Sequence, residues 1–138
     1  MANVVIESMR AGWSAITAWD MDDAMHFSNP EKKVLKIWGF WNSLGTEMGD
    51  PQQEKIRPWF YAWAILSRNF PKGSKILYTS PTLKIGLNSV AAITKEGDLS
   101  MAIVNTSDDS KNVIIEIPNI QEEITLNQYI YTENNIPV

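Results

Sequence analysis

Cysteine is absent from this chain. That excludes a disulfide framework, a thiolate metal site and a thiol nucleophile, although it leaves the compartment open. A basic excess is absent too. The formal charge is −4, with no basic footprint, so nucleic acid is not an expected partner. No apolar run approaches the ~20 residues needed to span a bilayer, so no membrane span is expected. The opening "MANVVIESMRAGW" has no basic segment before its apolar part and does not read as a signal peptide. There is no Gly-rich phosphate loop, no Ser-His-Asp arrangement and no zinc spacing, and no cofactor is expected. Internal repeats and low-complexity segments are also missing. Tryptophan disappears after Trp63, and beyond Phe70 the only aromatics are Tyr78, Tyr129 and Tyr131.

What is present is enough for one domain. The 138 residues are 44% hydrophobic, which can build a core. The composition shifts near "FPKGSK", residues 70 to 75, where Pro and Gly punctuate a boundary. The first half mixes element types. "ANVVIESMRAG" reads as the last turns of a helix stopped by Gly12. "WSAITAW" reads as a short apolar strand buried on both faces, as in a parallel sheet. Residues 20 to 36 read as a loop, and "VLKIWGFWNS" as a hairpin around Gly39. "IRPWFYAWAILSRNF" is the strongest helix. Pro58 suits its first turn, and Trp59, Ala62, Trp63 and Leu66 share one face.

The second half reads as short strands with turns between them. They are expected near Ser74–Thr79, Leu83–Leu87, Val90–Lys95, Leu99–Asn105, Val113–Ile117 and Ile124–Tyr131. "KEGDL" is a hairpin turn and "NTSDDSKN" a polar loop. Several short strands at this spacing predict a β-sandwich.

The order "GWSAITAW", "WGFWN", "IRPWFYAWAILSRNFPKGSKIL" and then light strands with "MAIVNTS" resembles the C-terminal end of clan A glycoside hydrolases. These enzymes are a (β/α)8 barrel with a β-sandwich packed against it, similar to glycoside hydrolase families 30 and 39. The resemblance implies an α+β fragment. Residues 1–72 would be the C-terminal end of the catalytic barrel, and 73–138 a truncated antiparallel β-sandwich. Ala2–Ala11 would end the seventh barrel helix, Ser14–Trp19 would be the eighth strand, and Pro58–Phe70 the eighth helix. The family's two catalytic glutamates sit at the ends of strands four and seven, and no residue here matches either. A retaining mechanism needs both carboxyls, roughly 5–5.5 Å apart. The chain alone is therefore expected to be inactive. Its partners would be a carbohydrate substrate and the rest of the parent barrel, in a secreted or periplasmic parent.

Candidate substrate-binding residues follow from that placement. Functional groups of such barrels sit at the C-terminal ends of strands. Trp19 lies there, and an indole face suits the C–H face of a pyranose. The resemblance implies a Trp at the subsite where the bond breaks. Asp20, Asp22, Asp23 and His26 follow in the same stretch and would bind sugar hydroxyls, or simply meet water. A metal is not expected, because D-x-D-D-x-x-H lacks a Gly turn and a matching Glu. Trp38 and Trp41 would line the cleft wall or cover the barrel. Trp59, Tyr61 and Trp63 are read as packing, and Arg57 and Arg68 as local caps or pairs. The rival reading is a stand-alone carbohydrate-binding or structural β-sandwich module without catalysis.

Overall fold

A computed structural model gives the fold. It describes every residue except 30, 31, 37, 81–84, 120–122, 133, 134, 137 and 138, and describes no side chain between 24 and 37. The order is α1 (Ala2–Arg10), β1 (Ala24–Asn29), β2 (Lys32–Lys36), a 3-10 turn (Pro51–Glu54), α2 (Pro58–Asn69), β3 (Lys75–Leu77), β4 (Leu87–Ile93) and β5 (Leu99–Asn105). The class is α+β.

Helix α1 buries Val5 and Ile6 and ends where its sequence says it should. Gly12 has φ +82°, a conformation that costs a residue without Cβ little. Its N–H donates to Met9 O (3.0 Å), and the Trp13 N–H donates to Ser8 O (3.1 Å). The two bonds satisfy carbonyls that the helix end would otherwise leave open. Helix α2 begins at Pro58, whose ring disfavours a helical backbone at the residue before it. Arg57 accordingly sits at φ −77°, ψ 150°, outside the helix. Ala62 and Leu66 are the buried pair of α2, as their helical spacing predicts. At the other end the Asn69 side chain donates to Ile65 O (2.8 Å).

Strands β3, β4 and β5 form an antiparallel sheet with β4 in the middle. The β4–β5 register is unbroken from Leu87↔Asn105 to Ile93↔Leu99. Gly97, at φ +95°, turns the chain between them, and Thr94 N–H bonds Asp98 O (2.9 Å). Being central, β4 supplies most of the sheet's core: Leu87, Val90, Ala91 and Ala92 are buried. Helix α1 packs on this sheet and on α2. The Asn88 amide donates to Asn3 Oδ1 (2.7 Å) and ties β4 to the start of α1.

Several expectations need correction. Residues 20 to 36 are not a plain loop. Strands β1 and β2 pair there, with a bulge between Phe27 and Asn29. No hairpin turns at Gly39. Residues 38–42 instead run beside 20–23, with a parallel bridge Asp22↔Trp41. The expected eighth strand, Ser14–Trp19, forms no ladder among the described residues, because no strand lies beside it to receive its hydrogen bonds. The predicted strands at Val113–Ile117 and Ile124–Tyr131 are likewise unpaired. Their large side chains, Ile114 and Leu126 above all, face solvent. Only three strands of the expected sandwich are formed among the described residues. Of the strand expected near Leu83–Leu87, residues 83 and 84 lie outside the described residues, and Ile85–Gly86 is a turn leading into β4.

Trp13 is 64% exposed and Trp19 74% exposed. Each large side chain left in water forgoes roughly 1.5–3 kcal/mol of burial. The isolated chain is therefore expected to self-associate as its concentration rises, a tendency sedimentation velocity would register. A monomer at all concentrations with a sharp two-state melt would contradict this.

Candidate functional site

The stretch from Asp20 to Asp23 is held by the stretch from Trp38 to Asn42. Asp20 N–H donates to Trp38 O (3.3 Å), Phe40 N–H to Met21 O (2.8 Å) and Asp23 N–H to Trp41 O (3.0 Å). Gly39 makes this approach possible. A Cβ there would lie 2.7 Å from the Asp23 nitrogen and 2.8 Å from the Asp22 Cα, closer than real side chains come. The Trp19–Asp20 peptide bond is cis.

The three carboxylates meet different fates. Asp23 turns inward, and its side chain is fully buried. Its Oδ2 accepts from Arg57 Nη2, and its Oδ1 accepts from Arg57 Nη1 (2.6 Å) and from the Gly39 N–H (2.9 Å). Arg57 also donates from Nη1 to Gly39 O (2.7 Å) and from Nη2 to Gln53 Oε1 (3.0 Å). Its backbone N–H donates to Phe40 O (2.8 Å). One guanidinium thus joins the rim stretch, the Gly39 stretch, the 3-10 turn and the start of α2. Asp22 Oδ1 accepts from the backbone N–H groups of Asp23 and Ser43 (both 2.9 Å). It fixes the two stretches to each other. Asp20 accepts from the Met21 N–H (2.7 Å) and stays at the exposed edge beside Trp19.

Burial pushes the Asp23 carboxyl up, but the Arg57 hydrogen bonds, the Gly39 N–H and the Arg57 charge outweigh it. The carboxyl ends below its ordinary value of 3.8. The Asp23 hydrogen bond likewise raises Arg57, despite burial. A carboxyl with a depressed folded pKa stabilises the fold fully above its unfolded pKa. That contribution is lost as pH falls through the folded value. Urea midpoints are expected to hold from pH 7 to about pH 5 and to fall below about pH 4. Asp23→Asn should flatten that acid limb, and an unchanged limb would assign it to other carboxyls.

The aromatic candidates also separate. Trp41 is half-buried and packs on Phe60 of α2, with ring centroids 6.4 Å apart, while Phe40 meets Phe60 edge-on at 5.3 Å. Trp38 is 42% exposed on the stretch that borders Asp20. Trp59 is half-buried, with the Arg57 guanidinium 5.4 Å from its ring centre. Tyr61 and Trp63 are half-buried on α2, in keeping with packing roles. His26 lies on β1 opposite Val34, and its side chain lies outside the described residues. The structure therefore gathers Trp19, Asp20 and Trp38 at an exposed rim. It places Asp22, Asp23 and Trp41 in the support beneath.

Sequence reasoning misses the reach of Arg57: the expected local cap or pair is instead a bond to Asp23 across 34 positions. The available signal was weak: an arginine just before a helix-starting proline is held out of the helix and free to reach elsewhere. Among the described residues no three His, Asp or Glu side chains form a group able to hold a metal ion. No described helix is long and apolar enough to cross a membrane. Comparison of the chain with protein-family models, with curated proteins and with solved structures finds no match.

Proposed function

We propose that this chain is the C-terminal part of a retaining glycoside hydrolase of the barrel-plus-sandwich type. It would supply one wall of the active cleft and the supporting β-domain. The observation that carries the proposal is Trp19: a 74% exposed indole beside a rim whose backbone is locked by Asp22, Asp23, Gly39 and Arg57. An apolar ring held in water on a rigid base suits the C–H face of a sugar, and Asp20 beside it suits a hydroxyl.

The sorted carboxylates also argue that catalysis needs groups from elsewhere in the parent. Asp23 is engaged by Arg57, and a cleaving pair must face each other across the substrate. The purified 138-residue chain is therefore expected to leave aryl glycosides intact. Turnover that Asp22→Asn or Asp23→Asn abolishes, with the fold retained, would overturn the proposal.

A further inference from the structure

A second site lies away from the rim. An apolar cleft of about 530 Å³ opens between the C-terminal turns of α1 and α2, lined by Val5, Met9, Ile16, Trp63, Leu66 and Phe70. Trp13 forms part of its wall. None of the rim residues Trp19, Asp20 or Trp38 belongs to it. The volume is in the range of small-molecule sites, which are mostly apolar with a few polar groups that fix orientation.

Those polar groups stand at one end. The turn Pro71–Ser74 closes with Ser74 N–H on Pro71 O (3.1 Å), and Lys72 and Gly73 of this turn line the cleft. Gly73 has φ +92°, and the Lys95 side chain lies across it. A Cβ at Gly73 would collide with Lys95 Cε and come within 3.0 Å of Nζ. The Lys95 ammonium therefore lies over the turn that carries Lys72. The ion pairs among the described residues are Arg10–Glu7, Arg57–Asp23 and Lys111–Asp109, so neither lysine has a carboxylate within 4.0 Å there. Glu96 and Asp98 of the β4–β5 turn are close in sequence and still make no such pair. In a chain of net charge −4 this is a local basic end on an apolar trough.

We propose that this cleft binds a medium-chain fatty carboxylate. The alkyl chain lies against Ile16, Leu66, Trp63 and Phe70, and the carboxylate meets Lys72 and Lys95. The charge pattern favours such a ligand over a neutral one, and the mostly apolar lining leaves few partners for the hydroxyls of a sugar. The inference stands apart from the rim and from hydrolysis.

The test titrates the full chain with decanoate, below its micelle concentration, and follows tryptophan emission. Saturable one-to-one binding is expected, and Trp63→Phe should remove much of the signal change. Because a charge-assisted contact is lost, decanol should bind about tenfold more weakly, and the Lys72→Ala/Lys95→Ala variant should lose about tenfold for decanoate and nothing for decanol. Equal affinity for decanoate and decanol, an unaffected double variant, or no saturable signal would each overturn the proposal. A chain that sediments as a dimer and excludes decanoate would put a second copy in the cleft and overturn it as well.

Discussion

Replacing Asp23 by alanine is expected to destabilise the chain by about 3–5 kcal/mol, the cost of leaving a buried guanidinium without its counter-charge. Domains of this size have only about 5–15 kcal/mol to lose. Arg57 would keep Gly39 O and Gln53 Oε1, but neither carries a negative charge. The loss should also loosen the Gly39 stretch, because its N–H would lose its acceptor. A double variant, Asp23→Ala with Arg57→Met, removes both charges and should recover part of the loss. The cycle of the two single variants and the double variant isolates the pair, and urea unfolding at pH 7 is the measurement. A loss under about 1 kcal/mol for Asp23→Ala would show that the pair is effectively solvated and that the rim is held by its backbone bonds alone.

The second large effect belongs to Trp19. In the intact parent enzyme, Trp19→Ala is expected to lower turnover per active site by about a hundredfold, the scale on which small misplacements of a reacting group act. The ring would orient a sugar that is distorted as its bond breaks, so the loss should fall on kcat and not on KM alone. Trp63→Ala is the control. Its ring is half-buried on α2, and its removal should lower Tm while leaving kinetics per folded molecule nearly unchanged. Wild-type kcat and KM for a folded Trp19→Ala parent would reduce the exposed indole to a chain end meeting water.

Both predictions turn on the stretch from Trp19 to Asp23, yet the sequence exposes its parts unequally. Trp19 and its acidic neighbours stand out as a pattern: an apolar run, an indole, then carboxylates. Their division into rim and support does not. Asp20, Asp22 and Asp23 look alike in the sequence. What separates them is where the Trp38–Ser43 stretch and Arg57 arrive, and those contacts span gaps of 16 to 34 residues.

Local chemistry is what the sequence by itself determined. Helix α1 and its Gly12 stop, α2 and its Pro58 start, and the β4–β5 turn around Gly97 all rest on interactions a few residues apart. Backbone conformation and nearest-neighbour hydrogen bonds fix such features. Tertiary structure alone decided the rest. An apolar run becomes a strand only when another strand receives its backbone bonds, and 13–19, 113–117 and 124–131 have none beside them among the described residues. A glycine reads as a turn until a distant backbone is seen to press against it, as Asp22 and Asp23 press on Gly39. A carboxylate reads as a surface charge until a buried arginine claims it, because charge pairing across a fold depends on distance in space and leaves no periodicity in the chain.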